Sequence, residues 1–181
     1  QLLFGVESNI TGIDGGYDIT SGFENNFDII LCGFHKPVWA DKLSDYTNIF
    51  YNSYSHFIYE PTKEQIEKNT KAYINLIKSK PIDIISHLNY HLKVDMKEVA
   101  KAASDYGVAI EVSSRHSDCT EKDFEDLFAS SAMLTLNSDA HKVDDIGNID
   151  KALAVIDKYN VDAKRILNSE YCEFKFKSRT K

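Results

Sequence analysis

The stretch Met133 to His141, MLTLNSDAH, is an apolar run that ends in Asp139, one spacer and His141. Side chains two apart on a strand point to the same face, so this carboxylate and this imidazole leave the strand end together. An oxygen donor and a nitrogen donor converging on one point suit a divalent transition metal. The pair alone does not decide the matter, because an Asp at a strand end also caps turns and a lone His is commonly a satisfied surface residue. The pattern, however, recurs. Glu7 stands near the far end of LLFGVESNI, His35 directly after FDIILCGF, His87 directly after IDIIS, and Arg115 with His116 directly after VAIEVSS. Four of the six histidines therefore fall at strand exits. Taken singly, Glu7 could pair with Lys36 or Arg115, His35 could cap a helix, and His87 could be a buried histidine bonded to a carbonyl. A metal explains them together, and His with carboxylate is the ligand set expected for zinc, manganese or iron.

The elements that must carry these residues follow from periodicity. Continuous apolar runs predict strands over Leu2 to Ile10, Phe27 to Phe34, Ile82 to Ser86, Val108 to Ser114 and the run from Met133. Thr11 to Phe23 holds four of the eight glycines and reads as a turn or hairpin. Thr62 is an N-cap for a helix whose buried stripe is Ile66, Ala72, Tyr73, Leu76 and Ile77, closed by Pro81. Asp95 to Tyr106 is a second helix, with Val99, Ala102 and Ala103 inward and Gly107 as its stop. Thr120 caps a third through Ser130. Asn148 to Lys158 is amphipathic through Ala152, Leu153, Val155 and Ile156, and Asp162 to Leu167 makes a last short helix. Asp41 to Glu60 has no clean period; His56 lies there among aromatics and is expected to pack rather than react. The tail YCEFKFKSR alternates like a strand but is short and basic, and is left open. Strand–helix alternation predicts an α/β fold of parallel strands with helices outside, either a barrel or an open doubly wound sheet. Neither GxGxxG after a strand nor GxxxxGK[ST] occurs, so no nucleotide phosphate loop is signalled.

Composition bounds the rest. With 181 residues and 43% hydrophobic content the chain can bury a core as one domain, residues 1–181. A net charge of -7 argues against general nucleic-acid binding. No run reaches membrane-spanning length. Cys32, Cys119 and Cys172 are odd in number and lack CxxC spacing, as expected of a reduced compartment, with the cytoplasm as default. The chain starts at Gln1 directly in an apolar run, which we read as a natural N-terminal part missing. A first strand left without its neighbour has an unpaired edge, so self-association is expected.

GVESNI, CGFHKP, DIISHLNY, AIEVSS and LNSDAH, in this order and with these helices between them, resemble the PHP (polymerase and histidinol phosphatase) superfamily, and most of all its small bacterial multi-metal phosphatases. The likeness runs from Leu2 to about Asn168. It implies a distorted (β/α)7 barrel, here incomplete at the N-terminus, with two or three divalent ions at its C-terminal mouth. It further implies that Glu7 is the bridging carboxylate, that His35 and His87 bind one metal, that Asp139 binds its neighbour, and that His141 binds a third. The chain departs from the family in lacking the HxH of the first strand and two further histidines, and in having Leu88 where a Pro is usual, which lets His91 compete as a donor. The activity implied is hydrolysis of a small phosphate monoester by a metal-activated hydroxide, with Arg115 neutralising phosphoryl oxygens and His116 donating a proton to the leaving group. Arg115 could instead be a surface ion pair. The rival readings are a non-catalytic metal-binding or structural remnant of such a barrel, and a related metal-dependent barrel amidohydrolase.

Overall fold

A computed structural model of the chain describes residues 2–46 and 60–172. His56 and most of the C-terminal tail lie outside the described residues, as does the outcome for both.

Five strands form one sheet: β1 (Gly5–Asn9), β2 (Ile29–Gly33), β3 (Ile84–Ile85), β4 (Ala109–Ser113) and β5 (Leu134–Asn137). All pairings are parallel and the order is β1-β2-β3-β4-β5. Each strand lies beside its predecessor in the chain, and right-handed crossovers between such neighbours put every connecting helix on one face. A doubly wound sheet needs a reversal in strand order. None occurs among the described residues, whose five parallel strands follow one another in chain order. Five strands are described where the resemblance implies seven.

Among the described residues the helices of more than one turn are α1 (Lys63–Ser79), α2 (Met96–Tyr106), α3 (Glu121–Ala129) and α4 (Asp150–Lys158). Their ends are set by local chemistry. Thr62 accepts from Gln65 N–H while the Gln65 side chain returns to the cap, and Thr120 and Asp123 repeat this reciprocal arrangement. Gly107 takes φ 66° and ends α2. Asn69, Ala72, Tyr73, Leu76 and Ile77 make the inward stripe of α1 at helical spacing. The stripe joins Ile30, Cys32, Ile85, Ile110, Val112, Leu134 and Leu136 of the sheet in a single core. On α4 the expected stripe needs correction: Ala152 and Ile156 are buried, but Leu153 is 40% exposed. Three residues from Ile156 and one from Ala152, it falls to the side of the face they define.

Register assigns the opposite face of the sheet. Glu7 is level with Leu31, Leu31 with Ile84 and Ile84 with Ala109, while Asn9 is level with Gly33, Glu111 with Thr135 and Ser113 with Asn137. Toward the C-terminal ends this face becomes polar, with Glu7, Asn9, Glu111, Ser113, Thr135 and Asn137, where the helix-covered face is apolar save for Ser8, whose hydroxyl donates to Leu31 O. The two edges differ. Beyond β5, Leu167 N–H donates to Leu134 O, and the Asn168 side chain both accepts from Leu136 N–H and donates to Leu136 O. Among the described residues β1 pairs with β2 alone, and Leu2 and Phe4 beside it are exposed.

Leu76 is wholly buried, so Leu76→Ala is expected to cost about 2–5 kcal/mol, whereas Leu153→Ala on α4 costs under about 1 kcal/mol. Urea unfolding of the two variants checks the assignment of faces, and equal losses would contradict it.

Candidate metal centre

All five strands run the same way, so their exits share one rim, and every predicted site residue is on it. Glu7 projects from β1; His35, His87, Arg115 with His116, and Asp139 with His141 follow β2, β3, β4 and β5.

Three of them meet. His35 Nε2 is 3.3 Å from Glu7 Oε1, His87 Nε2 is 3.1 Å from the same oxygen, and the two nitrogens are 2.9 Å apart. Ligands 2.0–2.1 Å from a tetrahedral zinc stand about 3.3 Å from one another, so this triangle has nearly the size of one face of such a site. Among the described residues it is the one group of three His, Cys, Asp or Glu donors gathered this closely. Tautomers agree with the fit. The Asn9 side-chain oxygen accepts from the His35 backbone N–H at 3.1 Å and lies 2.8 Å from His35 Nδ1. Nδ1 therefore carries a proton, and Nε2 is the nitrogen turned toward Glu7. Asn9 is itself fixed by Asp18, which accepts from both its backbone and its side-chain N–H groups.

The charges respond as a cluster. Burial raises the Glu7 carboxyl, but hydrogen bonds from His35 and His87 outweigh it and hold the group well below the usual carboxylate range. Burial lowers His87, yet the Glu7 carboxylate prevails and its imidazolium persists above the usual pH. Without a metal, Glu7 and His87 thus share a proton; a divalent ion would replace it.

Room for the His87 ring depends on Gly33. A Cβ on Gly33 would meet Ser86 Oγ and come within 2.7 Å of His87 Cε1. The loop after β3 is backbone-strained: His87, Asn89 and His91 have φ of 29°, 71° and 62°. It is pinned by Val94 N–H on the Asn89 side chain and by Tyr90 N–H on His87 O. His91 packs against Tyr90, at 3.8 Å between ring centroids.

Asp139 and His141 stand farther along the rim and do not join the triangle. His141 Nδ1 lies 3.5 Å from Asp139 Oδ1 and 3.0 Å from the Asp139 carbonyl oxygen, and His116 Nε2 is 3.5 Å from Asp139 Oδ2. His116 links the two groups, its ring 6.1 Å from those of both His87 and His141. Arg115 Nε donates to His116 Nε2 at 3.2 Å, and its guanidinium is 3.6 Å from Asp145. Burial, followed by the neighbouring His87 and Arg115, keeps His116 below the usual imidazole range despite the opposing pull of Asp139. Arg115 also borders a cavity of about 190 Å³ with Ser114, Ser138, Asn148 and Lys151.

Sequence reasoning missed Asn9, Glu111 and Asn137. Glu111 is 7% exposed, accepts from His87 N–H at 2.6 Å and from the Asn137 side chain at 2.8 Å, and burial raises its carboxyl. Its signal was available: a carboxylate inside the apolar run VAIEVSS needs a buried partner.

No protein-family profile matches the chain. It is 31% identical to a protein named probable phosphatase from Shewanella oneidensis, and 32% identical to proteins of that name from Shewanella putrefaciens and Shewanella baltica. Each alignment covers 92% of this chain and 61% of the relative, so the chain spans about three-fifths of the length of the curated relatives it matches.

Two outcomes follow. Gly33→Ala is expected to weaken Zn²⁺ or Mn²⁺ binding by about tenfold or more with circular dichroism unchanged, measured by competition with a chromogenic chelator; undiminished affinity would contradict the tight seating of His87. The second concerns pH. Glu7, with its lowered pKa, contributes stability that is present above its ordinary value of 4.5 and lost as pH falls. His87, with its raised pKa, contributes stability that is present below its ordinary 6.5 and lost as pH rises through the elevated value. In EDTA, the Tm advantage of the wild type over Glu7→Gln should therefore peak between those pH values and shrink as the pH rises beyond 6.5. An advantage that grows on the alkaline side speaks against the shared proton.

Proposed function

We propose that the chain is the metal-binding part of a PHP-type phosphatase that hydrolyses a small phosphate monoester. The observation that carries this reading is the Glu7–His35–His87 triangle, whose size, tautomers and charge suit one divalent ion. The name shared by its relatives, probable phosphatase, supports the reaction class. Zinc, manganese and iron all suit the donors.

When bound, the metal supplies Lewis acidity, polarising a phosphoryl oxygen and acidifying water to near neutrality. Glu7, His35 and His87 would hold it. Arg115, at the rim between His116 and the open cavity, offers its remaining N–H groups to phosphoryl oxygens. His116, held below the usual imidazole range, would pass to the leaving group the proton that the attacking water gives up. Asp139 would offer a donor to a second ion and His141 to a third, the multi-metal site that the resemblance implies. No helix among the described residues is long and apolar enough to cross a membrane. The free thiols of Cys32, Cys119 and Cys172 support a reducing, cytoplasmic setting. The unpartnered side of β1 among the described residues supports self-association.

One observation favours a second reading: among the described residues a single group gathers three donors. A chain holding one ion without turnover would be a metal-binding domain rather than an enzyme. Elemental analysis and turnover of p-nitrophenyl phosphate in Mn²⁺ or Zn²⁺ separate the two. The expected result is bound metal with turnover, and a loss of both by about a hundredfold or more in His35→Ala and His87→Ala. Bound metal with hydrolysis of amides or lactones alone would point to an amidohydrolase. Absence of metal would end the reading.

A further inference from the structure

We propose that Glu111 is a positioning residue: its buried carboxylate holds the strained His87 backbone in the one conformation that aims the imidazole at Glu7. The inference rests on reading Glu7, His35 and His87 as a metal site.

His87 lies at φ 29°, outside the regions that a side chain with a Cβ favours, and something must hold it there. Its backbone N–H donates to Glu111 Oε2 at 2.6 Å, a charge-assisted bond between groups that are 4% and 7% exposed. The other oxygen, Oε1, accepts from the Asn137 side chain at 2.8 Å. Asn137 is thereby an orienting amide: it fixes the carboxylate, which fixes the backbone of His87. With both oxygens so engaged, and with the three-donor group excluding it, Glu111 acts on the ion through His87 rather than by touching it. The chain of bonds crosses from the end of β5 through β4 to the exit of β3, so the strands farther along the sheet help set the triangle built on β1, β2 and β3.

The donor–acceptor pattern can be transposed. In Glu111→Gln the new amide nitrogen faces the Asn137 amide nitrogen, two donors opposed. When Glu111→Gln is combined with Asn137→Asp, the introduced glutamine oxygen still accepts from His87 N–H while its nitrogen donates to the introduced carboxylate, and the total charge is that of the wild type. The experiment measures Mn²⁺ and Zn²⁺ affinity of the metal-free protein by chelator competition, beside Tm in EDTA, for the wild type, Glu111→Gln and the double variant. The single variant is expected to lose affinity by about tenfold to a hundredfold, and the double variant to recover it to within about threefold. Wild-type affinity in Glu111→Gln, or a folded double variant no better than the single, overturns the positioning role. Should the variants fail to fold, amide hydrogen exchange in the unaltered chain decides: a His87 amide slowed by about a hundredfold or more supports the bond, and one exchanging at the unprotected rate overturns it. Failure of the wild type itself to bind either metal would instead remove the metal reading on which the proposal rests.

Discussion

Two imidazole nitrogens 2.9 Å apart, both directed at one carboxylate oxygen, are tolerable only if something positive lies among them. A proton can serve, and so can a divalent ion. This electrostatic demand explains arrangements that otherwise look unrelated. Asn9 and Asp18 spend their polar atoms on keeping the proton of His35 on the far nitrogen. Gly33 has no side chain because the His87 ring occupies that space. Glu111 is buried although a carboxylate in the interior is costly, and its cost is offset by the backbone N–H and the amide that it accepts from.

The sheet makes the demand achievable. Parallel strands in sequential order bring five exits to one rim, and each exit can donate a residue without any element changing direction. The helix-covered face carries the hydrophobic stabilisation, in residues such as Ile30, Ile110 and Leu134 that are fully buried. The opposite face is thereby released to become polar. Backbone strain follows the same division: of the five non-glycine residues with positive φ among the described residues, His87, Asn89, His91 and Asp139 lie on the rim and Asn160 lies away from it.

Much of this was legible in the residues. Period and caps located the helices, because Thr62, Asp95, Thr120 and Gly107 act on their own backbone neighbours. Strand exits were legible since an ionisable group after an apolar run marks where the sheet meets water. Which donors converge was not. Glu7, His35 and His87 are brought together by register between strands, a property of pairing rather than of any one segment, while Asp139 and His141 obey the same rule and stand apart by one imidazole. Asn9 and Glu111 were overlooked because their roles lie in what they accept, Glu111 through the backbone of a residue 24 positions away. Leu153 fitted the pattern of a buried position, but the rotation per residue about the helix axis that brings Ala152 and Ile156 together leaves it at the side.

The unequal edges of the sheet carry a geometric consequence. One is masked by the Asn168 amide, which mimics the peptide group of a further strand; the other, among the described residues, has no strand beyond β1. Two copies related by a two-fold axis and joined through β1 would align those strands antiparallel. Their rims would then open toward opposite poles of the pair, and neither copy could lend a side chain to the rim of the other.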